Sequence, residues 1–174
     1  MGNTAAVLKY FNKTLEKRCQ TKIIHLQEER FRTDLSLYDG FVFATGTYWD
    51  GWGSPLQVFF EHITHLEATD AIFGKPAAAI VTMHSMGGKS VLSRLQGVLN
   101  TFGFYIPPMS AMVYSMMNHI IIKSAPDNSF IEDVWGLEDL NIVANNLTEA
   151  CLETNQWQRW EVDTKPAERR WITF

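Results

Sequence analysis

Residues 41–60 read FVFATGTYWDGWGSPLQVFF, and this stretch decides most of the predicted fold. The apolar run at 41–44 is typical of a buried strand, and an amphipathic helix is predicted from Pro55 onwards. Tyr48 and Trp49 therefore follow the carboxyl end of a strand, where ligands bind in an open α/β sheet. Rings in a glycine-rich loop favour a flat aromatic ligand, because rings stack and glycines allow close backbone approach. Ordinary packing of both rings at the strand end is the alternative.

The composition predicts a single globular domain. The chain has 174 residues, of which 46% are hydrophobic and 20% charged, and a net charge of -4 gives no reason to expect nucleic-acid binding. No signal peptide and no bilayer-length apolar run is visible, so a cytoplasmic location without membrane contact is expected. Cys19 and Cys151 stand in no metal or redox spacing, which fits a reducing compartment.

Strand-like and helical segments alternate along the chain, which predicts a parallel sheet with helices on both faces. A first helix carries Val7, Leu8, Phe11 and Leu15, with Asn3 or Thr4 as its N-cap. Further helices are predicted at 55–65, 90–102 and around 137–151. Strands are predicted at 22–26, 41–44, 77–82 and 104–106.

Two regions fit this alternation less well. Residues 109–130 are long and rich in methionine for a connection, which predicts a functional lid, a partner surface or both, although methionines packed in a core are favoured over a ligand cavity. Residues 154–174 carry three tryptophans and are interpreted as a tail that packs on residues 1–153 or on a partner subunit.

The loop at 83–90, MHSMGGKS, matches several motifs in part. A serine-hydrolase elbow would need glycine in place of Met83, and no acid lies between Ser85 and His119 to build the usual triad. A phosphate-binding P-loop would also need glycine at Met83. A loop that lines the edge of a flavin ring requires only backbone donors and small polar groups. His62 and His65 lie three apart without the H-E-x-x-H pattern, so no metal site is predicted.

Several motifs in order now point to one family. The run Phe43-Ala44-Thr45-Gly46-Thr47-Tyr48-Trp49 with Leu56 and Phe59 resembles the F-G-S-P-x-Y-W…L-K-x-F pattern of flavodoxin-like NAD(P)H-dependent FMN reductases. Residues 2–5, GNTA, resemble the end of their phosphate loop. Residues 75–88 resemble their fourth strand and second flavin loop, residues 103–107 their fifth strand, and residues 135–139 the start of their last helix. The likeness covers most of residues 1–153.

The resemblance implies FMN as cofactor, NAD(P)H as co-substrate and a small-molecule electron acceptor. It implies that Gly2, Asn3 and Thr4 bind the phosphate at a helix N-terminus, that the flavin ring lies against Thr47, Tyr48 and Trp49, and that Ser85, Met86 and Gly87 follow the ring edge. Because the flavin carries the chemistry, no catalytic side chain is predicted. A homodimer or homotetramer is expected. The alternative function is non-catalytic, either an electron carrier or a degenerate domain that no longer binds FMN.

The sequence departs from the family pattern at two places. Gly46 stands where the family has proline, so a looser loop is expected. The first strand is not seen, so an N-terminally truncated flavodoxin-like sheet is expected, and strand 1 is central in the order 2-1-3-4-5. Three explanations are open: the sequence begins late relative to its natural gene, residues 22–26 pair directly with the strand at 41–44, or residues 170–174 fill the gap.

Overall fold

The computed structural model describes residues 2–26, 33–124 and 135–162. Over these ranges the chain forms a four-stranded sheet between two layers of helices, an open α/β architecture. The helices are α1 (Asn3–Leu15), α2 (Ser54–Ile63), α3 (Gly88–Phe102), α4 (Met116–Ser124) and α5 (Leu140–Ala150). The strands are β1 (Phe41–Tyr48), β2 (Gly51–Trp52), β3 (Ala77–Met83) and β4 (Ala111–Ser115).

The strand order is β2-β1-β3-β4, and β1, β3 and β4 are parallel. Phe41 pairs with Ala77, and Ala79 pairs with Ala111, so the three parallel strands end at the same edge of the sheet. β2 is a short antiparallel return that pairs only with the last two residues of β1. All residues of β3 except the last are buried, which explains its apolar run AAAIV before Thr82.

Each face of the sheet carries its own hydrophobic core. One core packs α2 and α3 on the sheet and is centred on side chains such as Phe43, Phe60 and Leu95. The other packs α1 and α5 on the opposite face, with Phe11 and Ile80 fully buried. The confirmed flavodoxin-like arrangement thus follows from strands that are apolar on both faces and helices that are apolar on one.

The predicted helices are present, with one correction at the amino end of α1. Gly2 is the N-cap residue, and Asn3 and Thr4 are the first two residues of the helix, so the prediction that one of them caps α1 is wrong. The helix that begins with Ser54 has Pro55 in its first turn, where a missing N–H costs nothing.

Two of the four predicted strands are wrong. Residues 22–26 form no strand, because a strand needs a neighbour to bond to and this segment has none in the described chain. Residues 104–106 contribute only a single bridge, Tyr105 to Pro76, and the strand that flanks β3 is β4. Part of the predicted lid at 109–130 is therefore β4 followed by α4, while 125–130 lie outside the described residues.

One side of β1 has no partner strand over most of its length among the described residues. From Phe41 to Gly46, β1 pairs with β3 on one side and with no described strand on the other. Direct pairing of residues 22–26 with β1 is therefore wrong as an explanation. Residues 170–174, the other segment considered for this place, lie outside the described residues.

The described part of the C-terminal tail contacts the loop before β3. The Trp157 ring lies 5.9 Å from the Tyr105 ring, and Arg159 Nη1 donates to Asp70 Oδ1 at 2.6 Å and to the Ala68 carbonyl at 2.9 Å. Trp157 and Arg159 therefore hold this part of the tail near the amino-terminal edge of the sheet.

Candidate functional site

The candidate site lies at the carboxyl edge of the sheet, where the amino end of α1 meets the ends of β1 and β3. The hydroxyl oxygens of Thr4 and Thr82 are 2.5 Å apart and share a hydrogen bond between helix and strand. A β-carbon added to Gly46 would stand 3.5 Å from Thr4 Oγ1. The fold therefore brings the predicted phosphate-binding residues to the end of the strand that carries the predicted ring-binding residues.

The amino end of α1 is suited to an anion. Its N-cap residue, Gly2, has no side-chain cap, and the first turn contains no acidic residue. The first bond of the helix runs from Ala6 N to the Gly2 carbonyl at 3.1 Å, so the amides of Asn3, Thr4 and Ala5 have no acceptor within the helix. Such amides, together with the helix dipole, favour a bound phosphate.

The amino end of α3 is different, because a carboxylate already lies there. Gly87 caps this helix at φ +85°, and a β-carbon at this position would collide with Asp50 Oδ1. The negative charge of Asp50 disfavours a second anion at this helix end. Of these two helix ends, that of α1 is therefore the one suited to a phosphate.

Trp49 and Asp50 form the two-residue turn between β1 and β2. Their φ angles are 48° and 57°, the left-handed values that a type I′ hairpin turn requires. A bulky residue rarely adopts this backbone, and such outliers concentrate at functional sites. The turn holds the Trp49 ring at 102% relative exposure, in contact with water on all sides.

Tyr48 is also exposed, at 64%, although its ring folds back over the loop. Its Cε2 atom would stand 3.0 Å from a β-carbon at Gly46 and 3.4 Å from one at Gly53, so both glycines make room for the ring. Neither ring is packed in the core of the molecule. Both rings present apolar surface at the site.

Thr47 supplies an unpaired polar atom at the same place. Its Oγ1 is buried and has no hydrogen-bond partner in the described chain. Buried hydroxyls are almost always bonded, so an orphaned one indicates a bound water or a ligand atom at this place. Thr47 Cγ2 would lie 3.4 Å from a β-carbon at Gly87, which places this hydroxyl between the two predicted flavin loops.

The structure thus brings Gly2, Asn3, Thr4, Thr47 and Gly87 to one edge. Ser85 and Met86 precede Gly87 and are exposed. Reasoning from the sequence missed Thr82 and Asp50. A polar residue near the end of an apolar strand was the only signal for Thr82, and Asp50 had none, because its contact with Gly87 exists only in the folded chain.

The end of β4 adds a further polar pair. The Tyr114 hydroxyl and His119 Nδ1 are 2.8 Å apart, and burial together with the Glu138 charge raises the pKa of Tyr114. In the described ranges no three metal-binding side chains cluster, and His65 Nδ1 instead contacts the His62 carbonyl at 2.9 Å. The described helices also include none that is long and apolar enough to cross a bilayer.

A parallel sheet with helices on both faces, an open helix N-terminus and a ring-bearing loop at the carboxyl edge defines a flavodoxin-like protein. A family profile described as NADPH-dependent FMN reductase matches residues 29–117, about half of the chain. The chain therefore belongs to the NADPH-dependent FMN reductase family. This membership supports a flavin-related oxidoreductase role.

Solved structures show the same fold. An oxidoreductase from Corynebacterium diphtheriae superposes with a TM-score of 0.64 at 18% identity, covering 88% of this chain and 91% of that one. A flavodoxin from the domain Archaea gives 0.63 at 14% identity, with 87% and 92% covered. The apo form of the NADH:FMN oxidoreductase EMOB gives 0.61 at 16%, with 96% and 90% covered. A comparison with curated proteins gives no match.

Proposed function

We propose that the protein is an FMN-dependent NAD(P)H oxidoreductase that passes electrons to a small-molecule acceptor. The observation that carries the proposal is the orphaned Thr47 hydroxyl, buried between two loops at the carboxyl edge of the sheet, where open α/β folds bind their ligands. FMN, when bound, supplies hydride and electron transfer. The chain would bind and orient it.

Each part of the edge has a role in this proposal. The amides of Asn3, Thr4 and Ala5 would hold the phosphate, because they are uncapped and no acid competes for them. The Thr47 hydroxyl would bond a polar atom of the flavin ring system. The exposed rings of Tyr48 and Trp49 would cover a face of the ring, and Ser85, Met86 and Gly87 would follow its edge.

Asp50 and Gly87 would hold the two flavin loops in one arrangement. The carboxylate of Asp50 lies against Gly87, so any side chain at position 87 would push the loops apart. A fixed spacing between the loops lets a flat ring bind without first ordering either of them, which lowers the cost of binding.

The test is a titration of the purified protein with FMN and with riboflavin. We expect FMN to bind at least roughly tenfold more tightly than riboflavin, since only FMN offers a phosphate to α1. We further expect NADPH or NADH to bleach the visible absorbance of the bound flavin. Failure to bind either flavin would refute the proposal, and binding without bleaching would favour the electron carrier.

We also propose that the protein forms a homodimer or homotetramer. None of the residues of α4 is buried, and four of its apolar side chains are more than a third exposed, namely Met116, Met117, Ile120 and Ile121. Exposed apolar patches of this kind mark contact surfaces. Because α4 directly follows β4, a subunit seated on it would lie near the carboxyl edge of the sheet.

A further inference from the structure

The open edge of β1 lies in a large groove on the side of the sheet away from β3. The groove has a volume of about 1220 Å³, and residues 41–44 of β1 line it. α1 supplies one wall with Phe11 and Leu15, and α2 supplies the other with Phe59 and Ile63. Residues of both hydrophobic cores therefore line the groove beside β1.

The backbone at this edge is ready to pair with another strand. Phe41 N–H donates to the Pro76 carbonyl, towards β3, at 2.9 Å. Backbone groups alternate sides along a strand, so Val42 and Ala44 direct their N–H and C=O groups into the groove. An unpaired strand edge presents a row of free backbone donors and acceptors, which favours an occupant that bonds to them.

Lys22, Ile23, Ile24 and Leu26 also line this groove. Their composition is that of a strand, yet they form none in the described chain. A strand that filled the groove would lie beside β1 and would contact residues 22–26. One occupant would thus supply the missing partner for both.

The described chain ends close to the entrance of this groove. Arg159 forms a hydrogen-bonded ion pair with Asp70. Ala71, which follows Asp70 in the chain, lines the groove. Residues 163–169 can span roughly 23–25 Å when extended, and five strand residues cover about 16 Å. A tail that enters here starts at the amino end of β1 and runs parallel to it.

We infer that residues 170–174, Arg-Trp-Ile-Thr-Phe, occupy the groove as a strand parallel to β1. Trp171, Ile172, Thr173 and Phe174 all have high strand propensity, and a strand covered on both faces needs apolar residues on both. A second folded copy fits less well, because the edge lies between two helices where a whole sheet cannot reach. The inference does not depend on flavin binding.

Hydrogen exchange in the full chain tests this inference. We expect the amides of Val42, Ala44 and residues 22–26 to exchange at least about 100-fold more slowly in the native chain than in Ile172→Pro, because proline removes a ladder donor. Ala167→Pro is the matched control and leaves this protection intact. Equal exchange in the native chain and in Ile172→Pro would overturn the inference, as would protection that disappears on dilution, which would indicate a second copy.

If Ile172→Pro does not fold, a cross-linking experiment tests whether residues 170–174 lie beside β1. Val42→Cys is combined with a cysteine at 171, 172 or 173, in a chain whose natural cysteines are serine. We expect an intramolecular disulfide to form at one of these positions within minutes of mild oxidation, and not with Thr164→Cys. The absence of a disulfide at all three positions would contradict the docking of the tail.

Discussion

At the scale of the residue, the Thr47 hydroxyl is expected to destabilise the flavin-free protein and to strengthen the binding of FMN. Its oxygen is buried without a partner, so Thr47→Val removes an unsatisfied polar group and keeps the shape of the side chain. We expect this variant to raise the free energy of unfolding without flavin by about 1 kcal/mol. We expect it to weaken FMN binding roughly tenfold. Urea unfolding and a fluorescence titration measure the two effects.

A gain in stability together with a loss of FMN affinity distinguishes a hydroxyl that binds flavin from one that only supports the fold. Thr47→Ser keeps the oxygen, so FMN affinity should stay within about twofold of the native value. If Thr47→Val lowered stability and left FMN affinity unchanged, the hydroxyl would be serving the fold, and the proposed contact with flavin would be wrong.

Cys151 is expected to make the stability of the folded protein depend on pH in the alkaline range. Burial, with a smaller contribution from Asp39, raises the pKa of this thiol to about 11 from its ordinary value of 9.0. The folded state therefore holds the proton to a higher pH than the unfolded state does. Its contribution to stability is complete below pH 9.0 and is lost as the pH rises towards 11.

We therefore expect the free energy of unfolding to fall less steeply between pH 9 and 11 in Cys151→Ser than in the native chain. Urea unfolding at several pH values measures the difference between the two proteins. Cys19→Ser is the control, because Cys19 is exposed and burial affects it less. Parallel pH profiles for the native chain and Cys151→Ser would contradict the raised pKa.

At the scale of the element, the hairpin turn between β1 and β2 has an unfavourable sequence. Trp49 sits at φ 48°, where asparagine is much better tolerated, and its ring is fully exposed, so no buried area is lost by replacing it. We expect Trp49→Asn to stabilise the protein by about 0.5–1 kcal/mol. We also expect weaker FMN binding, because a stacking ring is removed.

Trp160→Asn is the matched control for this turn. Trp160 is another exposed tryptophan, and it is not among the residues with positive φ. Its replacement should change neither stability nor FMN affinity appreciably. A loss of stability in Trp49→Asn would show that the turn does not impose the strain inferred from its backbone angles.

The elements also show how far the sequence could predict the structure. The helices were predictable because an amphipathic stripe such as Val7, Phe11 and Leu15 is a local pattern that survives in the fold. Strands were harder to predict, since pairing depends on a neighbour that is distant in the sequence. Residues 22–26 have strand composition but no partner in the described chain. β4 lies in a methionine-rich segment that gave no clear strand pattern. Within the site, Thr47 and Gly87 could be identified from sequence motifs. The contact of Asp50 with Gly87 and the bond of Thr4 to Thr82 depend on tertiary proximity.

At the scale of the whole molecule, the two open features lie on different parts of the sheet. The candidate flavin site is at the carboxyl edge, and the groove beside β1 is entered from the amino edge. α1 belongs to both, because its first turn faces the site while Phe11 and Leu15 wall the groove. An occupant of the groove would therefore support the helix that is proposed to hold the phosphate.

The proposed contact between subunits lies on α4. A helix with four exposed apolar side chains and no buried residue gains little from packing on its own subunit, which favours α4 as a contact surface. We expect sedimentation to give a dimer or tetramer for the native chain and a monomer for Ile120→Glu with Ile121→Glu, because two buried carboxylates would disfavour contact. Lys123→Glu, which changes charge on the same helix without altering its apolar side chains, should keep the native assembly. A native chain that sediments as a monomer at all concentrations would refute the assembly, and a double variant that remains oligomeric would place the interface elsewhere.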